Sequence, residues 1–575
     1  MSKLQELRKV MKESGIDTYI VTKFDPHQSE HSHQRFNGVE FLSGFTGSQG
    51  TLVITQKEAG LWTDNRYYLQ ASMELSPEFT LFKESEPETV SYLNYAANAG
   101  GFVAFDGKAF SAAQGKKLIR QSKNSKIEHK DFLDKIWENR PDFQRNELIN
   151  YGIKYCGQTS AKKIAKVREE MLKKKASVYL ISSRDDIAWL FNIRCLEFTG
   201  AFNFLAYAAV TPEETLLFMD TTEADKEVLD TLKADGVLIS PYEDFYEYLK
   251  ETDNVLIAPT RTNYYTFSRL KGKKITEIPF DITSSLKAVK NQTELENIRT
   301  AQLKEGLVYT RLIKQIKTQT PGNEYDIYEK MLEIRKDTGY LGLAFNPIIA
   351  YGENGAIVHY RTAKESAKAI EPQGFVLLDI GCNYIEGTTD ISRTVALGSL
   401  TDDMKKHYTY VLKAYIAFET LKFPFGMSGI HLDAIAKNEL WKHGLTYGHG
   451  TGHGIGHLLN VHEGPQNVSV RFINAPLQEN VLLSDEPGCY IEGEYGIRIE
   501  NNVRVIKAEK TPQAQFLAFE NLTFVPLEKD AVLPELLTDK EKEWYNNYQA
   551  QVYEKLKDEL TEEERQWLKE VTEAV

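Results

Sequence analysis

The chain has 575 residues, 42% of them hydrophobic and 26% charged, and no apolar segment is long enough to cross a bilayer. A chain of this length exceeds one hydrophobic core, so we expect three or four domains. The net charge of −13 disfavours nucleic acid and anionic membranes as partners and favours a neutral or cationic ligand.

The first half of the chain predicts the same α/β pattern twice. A helix over residues 4–14 is followed by Gly15 and by a strand over residues 17–22. Residues 161–181 repeat this order of a charged helix and a β-rich run. We therefore expect two related domains, over residues 1–155 and 156–287.

The N-terminal segment and the cysteines both bear on the cellular compartment. The N-terminal segment has no apolar core of signal-peptide length, so we expect a cytoplasmic protein. Cys156, Cys195, Cys382 and Cys489 lie far apart without a CxxC pair, which argues against a disulfide framework and a zinc knuckle. We expect buried free thiols.

A third domain is predicted over residues 288–525, followed by helices over residues 526–575. It opens with a long helix whose apolar residues share one face: Leu295, Ile298, Ala301, Val308 and Leu312. Two capping boxes, at Thr538 and Thr561, predict a C-terminal helical hairpin. Its apolar stripe, Trp544, Tyr548, Val552 and Leu556, either packs on its own domain or forms a subunit contact.

Two carboxylates lie on a predicted β-hairpin of the third domain. Residues 375–380 and 388–396 both have strand character and flank a turn at residues 385–387. Asp379 and Asp390 stand almost equidistant from this turn. Strand pairing then sets them opposite or diagonal to each other, about 5 to 8 Å apart.

Histidines are concentrated just after this hairpin, with six of the twelve between His431 and His462. His449, His453 and His457 are spaced by four, but interleaved glycines make a helix implausible. In an extended chain these histidines fall on one side, and the glycines on the other allow close approach of a backbone or ligand.

A second predicted hairpin carries two more carboxylates. Glu486 and Glu500 are symmetric about Gly493, which predicts a turn between them. Arg498 shares a strand face with Glu500, so we expect it to orient or balance that carboxylate.

Four carboxylates and one imidazole would repel one another without cations and would take up protons. Two divalent ions remove this problem, and a carboxylate that bridges two metals is the usual architecture for metal-assisted hydrolysis. An oxygen-rich set with one imidazole suits Mn²⁺, although Co²⁺, Zn²⁺ or iron could also occupy it.

These residues, in this order, resemble those of the pita-bread metallopeptidases, which include methionine aminopeptidase, prolidase, aminopeptidase P and the metal-free creatinases. The matching ligand positions are Asp379 in LLDIG, Asp390 in GTTDISRT, His453 in HGTGHG, Glu486 in DEPG and Glu500 in RIEN. The two N-terminal domains and the segments FDPHQSE, SGFTGS and TDNRYYLQA are similar to those of the larger, three-domain aminopeptidase P proteins.

The resemblance implies an α/β (α+β) fold, with two creatinase-like N-terminal domains followed by a pita-bread catalytic domain and its helical extension. It implies an aminopeptidase that acts on peptides with proline in the second position, by attack of a hydroxide held between two metals. A homodimer is also implied.

The resemblance further implies a role for each site residue. Asp379 holds one metal, His453 and Glu486 hold the other, and Asp390 and Glu500 bridge them. Glu486 also accepts the proton of the attacking water.

The second-sphere histidines have implied roles as well. His359 and His462 are catalytic and hydrogen-bond the substrate carbonyl or the tetrahedral oxyanion. His449 lies beside the proline pocket. We expect Arg498, like these histidines, to bind the substrate. His457 matches no family role, and we expect it to be structural.

Two other functions remain open at this point. A prolidase would act on Xaa-Pro dipeptides alone, and substrate length discriminates it. A non-catalytic pita-bread binding module and metal-free creatinase chemistry are both disfavoured, because all five ligand positions and the second-sphere histidines are present.

Overall fold

The computed structural model describes residues 1–122, 125–143, 147–195 and 200–575. These residues form two compact units, Met1–Lys287 and Ala288–Val575. Both units mix helices and strands, which confirms the predicted α/β class. Among the described residues, no helix combines the length and the hydrophobicity that a membrane span requires.

The first unit begins with helix α1 and ends within α12. Its helices are α1 (Lys3–Glu13), α2 (Gly38–Ser43), α3 (Tyr68–Glu74), α4 (Tyr92–Asn98), α5 (Ala112–Gln121), α6 (Ile153–Cys156), α7 (Ser160–Lys173), α8 (Arg184–Phe191), α9 (Lys226–Ala234), α10 (Phe245–Glu251), α11 (Tyr264–Arg269) and α12 (Ile282–Ala288). Its strands are β1 (Thr18–Thr22), β2 (Thr51–Thr55), β3 (Ala59–Thr63), β4 (Thr80–Lys83), β5 (Gly101–Phe105), β6 (Ser125–His129), β7 (Ile149–Asn150), β8 (Val178–Ile181), β9 (Ile193–Arg194), β10 (Ala206–Val210), β11 (Thr215–Met219), β12 (Val237–Ser240), β13 (Val255–Ile257) and β14 (Ile275–Glu277).

Two six-stranded sheets of the first unit have the same topology. Their strand orders are β4-β3-β2-β1-β5-β6 and β12-β11-β10-β8-β13-β14. In each, the first strand in sequence pairs antiparallel with one neighbour and parallel with the other. The repeat predicted from the sequence is therefore present in the strand connections, whereas the domain limits at residues 155, 287 and 525 remain a prediction.

Local sequence explains why α1 forms where it does. Ser2 and Gln5 make a reciprocal capping box at its start, and Leu4, Leu7 and Met11 are buried along one face. Gly15 has a φ of +69°, which ends the helix before β1. The predicted helix, stop and strand are all confirmed.

The second unit contains the predicted carboxylate hairpins. Its helices are α13 (Gln292–Thr318), α14 (Glu324–Arg335), α15 (Asp402–Glu419), α16 (Gly429–Trp441), α17 (Asp539–Leu556) and α18 (Glu562–Val571). Its strands are β15 (Tyr340–Leu343), β16 (Ile348–Tyr351), β17 (Phe375–Tyr384), β18 (Gly387–Ala396), β19 (Phe423–Pro424), β20 (Gly452–Gly454), β21 (Glu463–Val468), β22 (Leu482–Asp485), β23 (Gly488–Ile491), β24 (Tyr495–Arg498), β25 (Asn501–Lys510) and β26 (Gln515–Asn521).

Two sheets and a ribbon build the middle of the second unit. One sheet joins β15, β17 and β16, with β18 paired to β17; the other has the order β19-β26-β25-β22-β20-β21; and β23 pairs with β24. The sheets meet where the backbone N–H of Glu500 donates to Ser392 O at 3.0 Å. This bridge pairs Glu500, which follows β24 in the chain, with Ser392 of β18.

The C-terminal helices pack on their own unit. The capping boxes at Thr538 and Thr561 are both present. Tyr548, Val552 and Leu556 are buried in a core that also contains Tyr415 of α15. The apolar stripe of α17 therefore packs on its own unit, the first of the two alternatives that the sequence left open. The four cysteines are buried and are not in disulfides, as expected.

Candidate metal centre

The β17-β18 hairpin presents two aspartates from paired, fully buried strands. Asp379 lies opposite Ser392 and Asp390 lies opposite Gly381. The two carboxylates are thus diagonal neighbours across the hairpin, one of the two arrangements that the sequence predicted.

His453 reaches the site from a short extended segment with glycine on either side. A Cβ on Gly452 would lie 2.0 Å from Ser484 O, and one on Gly454 would lie 2.1 Å from Glu463 O. Only glycine allows β20 to approach its neighbours this closely. His453 Nδ1 is 2.9 Å from Gly454 O, which orients Nδ1 as the donor and leaves Nε2 facing the carboxylates.

His457, the last of the three evenly spaced histidines, contacts residues outside the carboxylate cluster that His453 reaches. His457 is buried, and its Nε2 is 2.9 Å from Glu386 O. Its hydrogen bond to the backbone fits the structural role expected for it. Leu458 has a φ of +49°, so the extended conformation does not continue through this part of the chain.

Glu486 and Glu500 face each other where a strand ladder is interrupted. Strand β22 ends at Asp485, which pairs with Asn501 at the start of β25. The β23-β24 ribbon lies between them and turns at Gly493, with a φ of +77°. The predicted symmetry of the two glutamates about this glycine is confirmed.

The His453 imidazole lies among three of the carboxylates. Its Nε2 is 3.3 Å from Asp390 Oδ2 and 3.5 Å from Glu486 Oε1. The possible ligand atoms of Asp390, His453 and Glu500 all lie within 4.8 Å of one another.

Arg498 brings the fourth carboxylate into this arrangement. Its Nη2 donates to Asp379 Oδ2 at 2.5 Å, and its Nε donates to Ser392 Oγ at 3.1 Å. Ser392 Oγ in turn donates to Glu500 Oε2 at 2.7 Å. Arg498 was expected to orient or balance Glu500. The guanidinium pairs with Asp379, and its described link to Glu500 runs through the Ser392 hydroxyl.

Tyr490 is a site residue that the sequence analysis missed. Its hydroxyl accepts from Arg498 Nη1 at 2.7 Å and lies 2.8 Å from His449 Nε2. His449 Nδ1 is 2.7 Å from Gly450 O, so the ring can accept the tyrosine proton at Nε2. Alternation along β23 from Glu486 places Tyr490 on the same face, and this signal could have found it.

Two further predicted histidines are His462 and His359. The His462 ring is exposed and packs edge-on against the His453 ring, with centroids 4.3 Å apart. His359 is half-buried in the turn after the 3₁₀ helix Gly352–Ala356.

Burial changes the proton affinity of these groups. It raises the pKa of Asp379 to about 6 despite the opposing charge of Arg498. It also raises the pKa of Glu486, and it raises that of Glu500 well above the usual range, with Asp390 adding to the effect. For His453, burial lowers the pKa, but the hydrogen bond to Asp390 and the charge of Glu486 outweigh it and bring the pKa to about 9.

This donor set fits a pair of divalent cations. Among the described residues, Asp379 Oδ1 and Glu500 Oε1 are buried without a hydrogen-bond partner. Buried carboxylate oxygens of this kind need a cation or a proton. Four carboxylates with one imidazole form the oxygen-rich set that hard and intermediate divalent ions prefer.

Comparison with known families accounts for nearly the whole chain. Residues 296–507 match the model described as Metallopeptidase family M24, and residues 515–575 match the C-terminal region of peptidase M24. Residues 3–140 and 139–294 match two models, each described as a Creatinase/Prolidase N-terminal domain.

Individual proteins match over the same span. A protein of Coccidioides posadasii (strain C735), named Probable Xaa-Pro aminopeptidase P, is 37% identical over all of this chain and 93% of its own length. The crystal structure of an X-prolyl aminopeptidase from Caenorhabditis elegans, described as a cytosolic enzyme with a di-nuclear active site, matches 100% of this chain and 99% of its own. Its TM-score is 0.95 at 29% identity. A prolidase from Pyrococcus horikoshii covers 64% of this chain and 99% of its own, with a TM-score of 0.51 at 25% identity.

Proposed function

The chain belongs to metallopeptidase family M24, and from this premise we propose that it is an aminopeptidase that hydrolyses the bond between an N-terminal residue and proline. The observation that carries the proposal is the convergence of Asp379, Asp390, His453, Glu486 and Glu500 in one buried cluster. The full-length similarity to an X-prolyl aminopeptidase, against partial similarity to a prolidase, supports the substrate class.

Two divalent ions fit this cluster, and we propose the following ligands for each ion. Asp379 would hold one ion, His453 and Glu486 the other, and Asp390 and Glu500 both. We propose Mn²⁺ for both positions, with Co²⁺ or Zn²⁺ as alternatives. When bound, such ions polarise the scissile carbonyl and lower the pKa of the attacking water.

The proton moves through Glu486 in this proposal. Its carboxylate lies in the cluster, 3.5 Å from His453 Nε2, where it can take a proton from the attacking water and later give it up. The water oxygen bonds to the carbonyl carbon, the bond to the proline nitrogen breaks, and that nitrogen receives the proton. The products are a free amino acid and a peptide that begins with proline.

The surrounding residues position the substrate. His359 and His462 would hydrogen-bond the carbonyl oxygen as it gains charge. His449 would line the pocket for the proline ring, in an orientation held by the Tyr490 hydroxyl. Arg498 would support this arrangement through Tyr490 while it fixes the Asp379 carboxylate.

A prolidase is the second candidate, and substrate length separates the two. Release of free arginine should be measured from Arg-Pro-Pro, Arg-Pro and Arg-Ala-Ala, using metal-stripped protein with and without added Mn²⁺. We expect cleavage of Arg-Pro-Pro alone, and only with Mn²⁺. Glu486→Gln, which keeps the shape of the side chain, is the matched inactive control.

The other results each favour a different function. Cleavage of Arg-Pro alone would indicate a prolidase, and cleavage of Arg-Ala-Ala would remove proline specificity. No cleavage of any peptide would favour the non-catalytic binding module. A homodimer and a cytoplasmic location remain predictions, for size-exclusion chromatography and cell fractionation to check.

A further inference from the structure

Arg393 lies directly behind the proposed metal site. It follows Asp390 by three residues on β18, and its side chain is 1% exposed. The alternation of β18 sends Arg393 to the face opposite Asp390. Its Nη1 donates to Ser392 O and to Glu500 O, both at 2.8 Å.

The rest of the guanidinium binds the chain that leads into the C-terminal helices. Its Nε donates to Pro526 O at 3.1 Å, and its Nη2 donates to Val525 O at 2.9 Å. The same Nη2 lies 2.7 Å from Asn501 Oδ1 and 2.9 Å from the Tyr548 hydroxyl. Among the hydrogen-bond acceptors described for Arg393, none is a carboxylate. The guanidinium therefore uses its several N–H groups to hold uncharged oxygens of different chain segments together.

Tyr548 is the one residue of α17 in this set. Its hydroxyl donates to Val525 O at 2.8 Å, and it accepts from Arg393 Nη2 and, at 3.2 Å, from Asn501 Nδ2. The side chain is 3% exposed. One hydroxyl from the C-terminal extension thus fixes both the guanidinium and the residue next to Glu500.

Glu500 depends on these supports for its position. Its N–H donates to Ser392 O, its carbonyl accepts from Arg393, and its Oε2 accepts from Ser392 Oγ. Only Oε1 is left buried without a described partner. Groups that orient a ligand from behind commonly set its affinity for the metal.

We infer that Tyr548, acting through Arg393, is a positioning residue by which the C-terminal extension holds Glu500 in place for metal binding. The inference rests on the proposed function, because it takes Glu500 as a metal ligand. It gives helix α17 a role in metal binding in addition to its packing against α15.

The test compares Tyr548→Phe with Tyr545→Phe. Tyr545 lies on the same helix and is fully buried, but its hydroxyl accepts from Gln549, away from Arg393. Each variant loses one buried hydroxyl. Mn²⁺ binding to metal-stripped protein should be measured by calorimetry, together with kcat and KM for Arg-Pro-Pro and the melting temperature without metal.

We expect Tyr548→Phe to bind at least one Mn²⁺ about tenfold more weakly than Tyr545→Phe does. We also expect a lower kcat at an unchanged KM. Arg393→Lys keeps the charge but loses the planar set of donors, so it should weaken Mn²⁺ binding further.

Equal Mn²⁺ affinity in Tyr548→Phe, Tyr545→Phe and the wild type would overturn the inference, even if all three differ in melting temperature. The binding measurement does not depend on peptide cleavage. Mn²⁺ binding without cleavage in the wild type would contradict the proposed function, while weaker binding in Tyr548→Phe would still support the role of Tyr548.

Discussion

Asp390 and His462 both lie beside the His453 imidazole, but through contacts of different kinds. Asp390 Oδ2 is 3.3 Å from Nε2, the nitrogen that faces the carboxylates. His462 touches the ring edge-on and is exposed, as a group that meets a substrate would be. The first contact suits a metal ligand, and the second suits a residue that acts on the peptide.

This difference leads to separate expectations for Asp390→Ala and His462→Ala. Asp390→Ala should abolish turnover and lower the bound metal, because it removes a proposed bridging ligand. His462→Ala should keep both metals and lower kcat by roughly 10²-fold, the effect of removing one positioned donor. Metal content by elemental analysis and kcat on Arg-Pro-Pro check both. Loss of metal from His462→Ala would show that its assigned role is wrong.

Elements position these residues through their backbones as much as through side chains. The β17-β18 hairpin sets the two aspartates by register alone. Strand β20 brings His453 in because Gly452 and Gly454 let it lie against Ser484 and Glu463. The proposed metal site therefore depends on glycines whose lack of a side chain lets the strands approach.

Gly452→Ala should displace β20 because the new Cβ would lie 2.0 Å from Ser484 O, a backbone atom that cannot move alone. Overpacking of this kind costs about 1 to 3 kcal/mol of unfolding free energy. We expect weaker metal binding as well, since His453 is the next residue. Gly464→Ala is the control, because a Cβ at Gly464 would have no atom within 4 Å apart from those of the glycine itself and its two chain neighbours. Chemical denaturation and Mn²⁺ titration measure both effects, and an unchanged Mn²⁺ affinity in Gly452→Ala would contradict the expected coupling.

At the scale of the whole molecule, the site carboxylates link metal binding to stability and pH. The pKa of Asp379 rises from the usual 3.8 to about 6, and that of His453 rises from the usual 6.5 to about 9. Both groups therefore hold protons more tightly in the folded, metal-free state. That contribution to stability is present at low pH and is lost as the pH rises through about 6 and then toward about 9.

Metal ions replace these protons, so the stabilisation they give should increase with pH. We expect saturating Mn²⁺ to raise the melting temperature of stripped protein more at pH 8 than at pH 6, by roughly several degrees. Scanning fluorimetry with and without Mn²⁺ measures the shift, and a chelator should reverse it at both pH values. A shift that is equal at the two pH values, or larger at pH 6, would contradict this linkage.

The sequence by itself determined the features that depend on neighbouring residues. Short-range patterns predicted three kinds of feature. These are the capping boxes at Thr538 and Thr561, the helix that contains Leu295 and Ile298, and the hairpin that contains Asp379 and Asp390. These patterns, together with the family resemblance, led to the fold class and to the five candidate ligands.

Only the tertiary structure decided which side chains meet across elements. It paired Arg498 with Asp379 in place of Glu500, added Tyr490 beside His449, and brought Tyr548 of α17 to Arg393 behind the site. The physical reason is that strand alternation gives the face on which a side chain lies, whereas its partner depends on how sheets and helices separated by many residues pack together.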